Sequence, residues 1–326
     1  MSILKKLTII GTIPSPIGGV SSYLFRYCQK NYNNIEQFID LYPAKDKFEI
    51  DKNIKYIMSP FGKVQKLFFI LKTFFRLRDK RLIFHFSTIR ALLLLAVLPK
   101  FNNNWSLCLH HGELDKIYLR SNSFFKSMYK YSISKVDTIQ YLSLLQLQFY
   151  KKYFNKYNIN YEQISSYIPI DKKIVDEKLV SNEIKSFYKK YKKKLLMSGY
   201  PRSYYRYDML INYIKKNNIK DMCITICLYG DEEEGFINKL YDTIKECENI
   251  KIIFDLNMFE FLSLMSFNDI YIRPNDVDSF GIAVADAVNL GLDVLASDIC
   301  DRYNGSVIFK TGDISAFENK LKGLIK

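Results

Sequence analysis

Short apolar runs of strand length recur along this chain, separated by segments of helical spacing, and that rhythm limits the fold more than any other feature. In the first half, Leu7–Ile10, Leu82–Phe86, Ser106–Leu109 and Thr138–Tyr141 read as buried strands. Val20–Lys30, Val64–Arg78, Arg90–Leu98 and Phe124–Ser134 have helical spacing between them. Strands alternating with helices form βαβ units, in which a parallel sheet is covered on both faces. The rhythm pauses at Tyr167-Ile168-Pro169-Ile170-Asp171 and a charged stretch ending Lys189-Lys190-Tyr191-Lys192-Lys193-Lys194, which reads as a solvated linker or helix face. It resumes with strands at Leu195–Ser198, Ile224–Tyr229, Lys251–Phe254, Ile270–Ile272, Val294–Ala296 and Val307–Phe309. The expectation is an α/β protein of two Rossmann-like, doubly wound domains, 1–172 and 173–326. The C-terminal edges of both sheets would face a ligand cleft.

With 326 residues, 48% of them hydrophobic, and no polar low-complexity tract, the chain is expected to be globular throughout. The N-terminal apolar run is broken by Gly11 and Pro14 and reads as a strand, not a signal peptide. Ala91–Pro99 is far short of the roughly 20 residues that span a bilayer and reads as a core helix. Six cysteines without a CxxC pair read as reduced core residues of a cytoplasmic protein. Charge is uneven. Residues 1–172 carry 26 Lys and Arg against 11 Asp and Glu, the remainder 22 against 23. A basic first half suits nucleic acid, anionic lipid or a phosphorylated acceptor. Residues 63–81 interleave Phe and Leu with seven Lys and Arg, as expected either of a helix lying on anionic lipid or of one burying its Phe side against a sheet. No nucleic-acid module is recognisable, so nucleic acid is not an expected partner.

Several segments could carry chemistry. Asp278-Ser279-Phe280-Gly281 precedes a helical pattern containing Asp286 and ending at Gly291. A glycine at a helix start admits a phosphate to the free N–H groups, and a spacing of eight residues places both carboxylates on roughly one helix face. One could bind sugar hydroxyls and the other a ribose diol. The alternative is Asp278 as a helix cap and Asp286 as a solvated charge. After the first strand, Gly18 and Gly19 let a loop approach an anion, and Ser21 or Ser22 could cap the following helix; neither a Walker A nor a GxGxxG spacing is present. His85, His110 and His111 fall at strand ends, His110 facing away from His111 if the strand continues. A metal site from both adjacent histidines and Glu113 is poorly spaced. Finally, Gly199-Tyr200-Pro201-Arg202 and Arg206 follow a strand, and guanidinium groups suit a diphosphate.

The stretch 270–313, IYIRPNDVDSFGIAVADAVNLGLDVLASDICDRYNGSVIFKTGD, resembles the donor-binding segment of retaining GT-B glycosyltransferases of family 4, the glycosyl transferases group 1. That family has Glu-x7-Glu where this chain has Asp278 and Asp286. The resemblance implies transfer of a hexosyl unit from a nucleoside-diphosphate sugar with retention, the leaving diphosphate helping to deprotonate the incoming hydroxyl. It implies His111 and Asp278 on the sugar, Arg202 and Arg206 on the diphosphate, and Asp286 on the ribose. Ser279, Phe280, Gly281, Gly199 and the Gly18-Gly19 loop complete the donor site. No metal or other cofactor is implied. The implied acceptor is a lipid-linked or other oligosaccharide in cell-surface polysaccharide assembly, handled in the cytoplasm or at the inner membrane face. An epimerase or hydrolase of the same shape, or a non-catalytic nucleotide-sugar-binding partner, are the other readings.

Overall fold

The computed structural model describes residues 6–15, 18–278 and 280–326. The chain divides into two compact units, Met1–Ile168 and Pro169–Lys326, a division four residues before the expected one.

The first unit contains β1 (Leu7–Gly11), α1 (Gly19–Asn31), β2 (Ile35–Asp40), β3 (Lys55–Met58), α2 (Lys63–Arg76), β4 (Arg81–Phe86) and α3 (Leu92–Val97). It continues with β5 (Asn104–Leu109), α4 (Leu114–Arg120), α5 (Ser123–Ser134), β6 (Thr138–Tyr141), α6 (Leu144–Phe154) and β7 (Asn160–Gln163). Its seven strands are ordered β3-β2-β1-β4-β5-β6-β7, every pair parallel. The four strands read from apolar runs are all present. The three that the runs do not mark are β2, β3 and β7. β3 and β7 are the sheet's edges, where a half-exposed strand does not need a continuous apolar run. β2 mixes polar residues into a buried position, Gln37 Nε2 donating to Thr8 Oγ1 at 3.0 Å. One face buries Phe84, Phe86, Trp105, Leu107 and Leu109 beneath α3, α5 and α6.

The second unit contains α7 (Asn182–Tyr188), β8 (Lys193–Gly199), α8 (Tyr207–Lys216), β9 (Met222–Leu228), α9 (Phe236–Ile244), β10 (Ile250–Phe254) and α10 (Met258–Met265). β11 (Ile270–Arg273), α11 (Ile282–Leu290), β12 (Asp293–Ser297), β13 (Val307–Phe309) and α12 (Ile314–Ile325) complete it. The parallel order β10-β9-β8-β11-β12-β13 is again doubly wound, with apolar clusters on both faces. All six strands read from the sequence are present. Strands buried on two sides must be apolar at nearly every position, which makes them legible. α10 is opened by a capping box between Asn257 and Glu260, and α11 is closed at Gly291 with φ 93°, a left-handed conformation suited to glycine.

In each sheet the chain order reverses beside the first strand, at β1/β4 and at β8/β11. The C-terminal ends of strands at such a switch point form the ligand crevice of open α/β sheets. Gly11, Gly199 and Arg273 end three of these four strands.

Candidate functional site

In the second unit the crevice is built around Asp278. β11 ends at Arg273, whose guanidinium Nε donates to Asp278 Oδ2 at 2.9 Å and whose Nη1 donates to Ser198 O of β8 at 3.0 Å. Arg302, from the loop after β12, donates through Nη1 to the same Oδ2 at 2.7 Å and through Nε to Ser297 O at 2.9 Å. Side-chain exposures are 8% for Arg273, 3% for Arg302 and 10% for Asp278. Burial alone would raise the Asp278 carboxyl, but the charges of Arg273 and Arg302 outweigh it and hold it at about 2. Two guanidinium groups thus share one carboxylate, and the buried trio carries a net charge of +1.

This trio lies at the start of α11. Gly281 precedes the helix with φ 75°, and a Cβ there would lie 2.7 Å from Arg302 Nη1 and 3.2 Å from Asp278 Oδ2. A helix start presents unpaired N–H groups and about half a positive charge. Excess positive charge beside it makes an environment that favours an anion.

The pairing of Asp278 with Asp286 on one helix face does not hold: α11 begins only at Ile282, and Asp278 belongs to the preceding loop. Nor is Asp278 a cap, since Gly281 occupies that place without a side-chain bond. Asp286 sits in the second turn and is 3% exposed, so it is not the solvated charge of the alternative reading either. Ser279 lies outside the described residues. Phe280 immediately precedes Gly281, its carbonyl 3.4 Å from Arg302 Nη1.

Gly199 ends β8, and a Cβ there would lie 2.0 Å from the Tyr205 ring; its missing side chain is required by that packing. Tyr205 in turn lies under Arg273, the guanidinium carbon 5.0 Å from the ring centroid. Arg202 donates through Nε to Asp231 O at 3.2 Å. Arg206 has φ 54° at the start of α8 and pairs with both oxygens of Asp208 at 3.1 and 3.3 Å and with Asp276 at 3.3 Å. Hydrogen bonding to Asp208 raises the Arg206 pKa, and two carboxylates around one cation leave that position locally acidic.

In the first unit, Gly18 opens α1 with no side-chain cap, and Gly19 is the helix's first residue. Ser21 Oγ donates to Gly18 O at 3.1 Å, so neither expected serine cap is seen. Pro16 and Ile17 of this loop lie outside the described residues. The preceding Thr12-Ile13 is anchored by a fully buried Asp40, which accepts from Ile13 N at 3.2 Å, Tyr42 N at 2.8 Å and Tyr56 Oη at 2.9 Å and pairs with Lys47 at 2.8 Å. Lys47 also donates to Thr12 Oγ1 at 2.9 Å and Ile13 O at 2.8 Å.

His111 follows β5. Its Nδ1 accepts from Glu113 N at 3.0 Å, and its carbonyl accepts from Gln146 Nε2 at 3.1 Å. Burial lowers its pKa, so the ring is neutral at pH 7, and with Nδ1 accepting, the hydrogen is assigned to Nε2 as a donor. His85 and His110 lie elsewhere, on the sheet face beneath Tyr23 of α1.

Sequence reasoning did not single out Arg273, Arg302, Asp40 or Lys47. Arg273 carried a usable signal, as a cation closing an otherwise apolar strand at the switch point. Arg302, 24 residues from Asp278, carried none.

No protein-family model matches the sequence, and no curated protein matches it. Solved structures match nearly the whole chain. Sucrose-phosphate synthase from Thermosynechococcus elongatus is 12% identical over 98% of this chain and 90% of that one, with a TM-score of 0.71. An alpha,alpha-trehalose-phosphate synthase (UDP-forming) from Burkholderia xenovorans, solved with glucose-6-phosphate, is 10% identical over 98% and 92%, with a TM-score of 0.70. Anabaena HepE, solved with UDP, is 12% identical over 98% and 90%, with a TM-score of 0.67. With two parallel doubly wound sheets and these neighbours, the chain has the GT-B fold.

Proposed function

We propose that this protein transfers a hexosyl unit from a nucleoside-diphosphate sugar to a saccharide acceptor with retention of configuration, as in family 4. The observation that carries this reading is the buried Arg273–Asp278–Arg302 trio with its net positive charge at the start of α11. A diphosphate there neutralises the excess charge, and the same groups stabilise the negative charge that grows on it as the sugar departs. Arg302 and Arg273 are the diphosphate's principal cations, with Arg202 and the Phe280 and Gly281 N–H groups beside them; Arg206, already neutralised by Asp208 and Asp276, has to exchange those partners to contribute. Asp278 serves first as the counter-charge that holds both guanidinium groups in place. Asp286 takes the ribose, and the neutral His111 donates from Nε2 to a sugar hydroxyl. No protein nucleophile and no metal is needed, because the leaving diphosphate accepts the acceptor's proton.

Structural neighbours solved with UDP and with glucose-6-phosphate support a nucleotide-sugar donor and a sugar-containing acceptor. A lipid-linked acceptor at the inner membrane face, in cell-surface polysaccharide assembly, is supported by α2. Val64, Leu67, Phe68 and Phe75 are 52–68% exposed there, beside Lys63, Lys72 and Arg76, while Ile70 and Phe74 are buried on the inner side. Among the described residues no helix is long and apolar enough to cross a membrane.

The test is calorimetric binding of UDP and pyrophosphate, followed by transfer from UDP- and GDP-sugars to lipid-linked acceptors. Arg302→Ala should weaken pyrophosphate binding at least tenfold, a loss of one charge-assisted contact of about 1.5–3 kcal/mol. Unchanged binding in Arg302→Ala would remove the trio from the donor site. Tight donor binding with no turnover on any acceptor would leave the non-catalytic partner reading.

A further inference from the structure

A second constellation lies in the first unit, on the sheet face beneath α1. His85 of β4 and Cys108 of β5 are register partners, and His110, two residues after Cys108, returns to the same face as the ladder continues through its N–H to Phe86 O at 2.7 Å. His85 Nδ1 is 2.9 Å from His110 Nε2, and Cys108 Sγ is 3.4 Å from the same nitrogen. The three potential donor atoms all lie within 4.8 Å of one another. Cys108 is fully buried and His85 is 3% exposed. Tyr23 covers them, its ring centroid 5.0 Å from that of His110.

We propose that His85, Cys108 and His110 form a binding site for a zinc-class divalent ion, clipping the C-terminal ends of β4 and β5 together. Two imidazoles and a thiolate are the donors a borderline-soft ion selects. Metal–ligand bonds of about 2.0–2.3 Å in a tetrahedron set donor atoms roughly 3.3–3.6 Å apart, so His85 and His110 have to part by about half an ångström, and His85 and Cys108, within 4.8 Å of each other, have to settle at the same spacing. On binding, the Cys108 S–H bond breaks, its proton goes to solvent and a sulfur–metal bond forms. The hydrogen shared between the two rings moves to the outer nitrogen of the ring that carried it, freeing both facing lone pairs. His85 Nε2 is buried with no hydrogen-bond partner among the described groups, so a hydrogen placed there is unsupported and weakens the site relative to one whose ligand imidazole has such a partner.

The experiment uses the full chain, freed of metal by a chelator and titrated with Co2+ while the absorption spectrum is followed. One Co2+ per chain, with a thiolate-to-cobalt charge-transfer band and the intense visible bands of a tetrahedral ion, both abolished by Zn2+, is the expected result. The near-isosteric Cys108→Ser should remove the charge-transfer band, and His110→Gln should weaken binding at least tenfold. His111→Ala should leave both unchanged, and near-UV circular dichroism checks that each variant is folded. Binding without a thiolate band, or binding that survives Cys108→Ser and His110→Gln but disappears in His111→Ala, would overturn the proposal and leave His85 and His110 as a hydrogen-bonded pair.

Discussion

Asp278→Asn probes the charge balance at the start of α11 directly. In the native protein one carboxylate oxygen holds Arg273 at 2.9 Å and Arg302 at 2.7 Å, with all three side chains at most 10% exposed. Removing the negative partner of a buried pair costs about 3–5 kcal/mol, and asparagine, which retains one acceptor oxygen, falls at the low end, about 3 kcal/mol. The pKa gives a second route to the magnitude. The folded value is about 2 and the unfolded reference about 3.9. The difference is worth about 2–3 kcal/mol at neutral pH. Because the folded value is the lower, this stability is fully present above about pH 4 and is lost as pH falls through about 2. Calorimetry of the variant at pH 7 should show the second unit melting roughly 6–12 °C lower, at 2–4 °C per kcal/mol for a unit of this size. The deficit should shrink between pH 4 and 2, where the native carboxyl itself protonates. Pyrophosphate should stabilise the variant more than the native protein, because a net charge of +2 then awaits an anion. A variant within about 1 kcal/mol of native at pH 7, or one with no larger response to pyrophosphate, would refute the assignment of Asp278 as counter-charge.

Three further substitutions probe other parts of the two units. Gly199→Ala places a Cβ 2.0 Å from the Tyr205 ring, so the ring must leave its place under Arg273; a loss of about 1–3 kcal/mol accompanied by weaker pyrophosphate binding is expected, read by calorimetry and titration. Asp40→Ala strands the buried Lys47 ammonium and should lower the stability of the first unit by about 3–5 kcal/mol, followed through the fluorescence of its fully buried Trp105, the chain's single tryptophan. Phe68→Glu changes an exposed side chain and should leave stability within about 0.5 kcal/mol. It should cut partitioning onto phosphatidylglycerol vesicles by roughly 10- to 100-fold, the equivalent of about 1.5–3 kcal/mol of lost apolar burial; equal partitioning in a sedimentation assay would exclude α2 from the membrane surface.

Asp278→Glu, which installs the residue that the resembling family has at this place, is informative in the opposite sense. In a sequence comparison the shorter Asp looks like lost reach toward a sugar. In the structure its length matches the gap between two arginines, and an added methylene has to be packed into that closed space, at a cost of about 1–3 kcal/mol. Asp278→Glu is therefore expected to lower stability without raising pyrophosphate affinity.

By itself the sequence determined the α/β class, the two-unit organisation and ten of the thirteen strands among the described residues. A parallel sheet covered on both faces demands apolar residues at nearly every strand position, and that demand is local enough to read. It also marked the Phe280-Gly281 turn and its helix, because a left-handed glycine and a helical period are properties of consecutive residues. Tertiary structure decided how the charges are spent. Arg202 and Arg206 were the cations read from the sequence, and Arg206 is held by Asp208 and Asp276, whereas Arg302 reaches Asp278 from across the sheet's C-terminal edge. The edge strands β3 and β7, and the meeting of His85 with His110, were hidden for the same reason: each depends on what lies beside a residue in the sheet, which the linear order of a parallel crossover fold does not reveal.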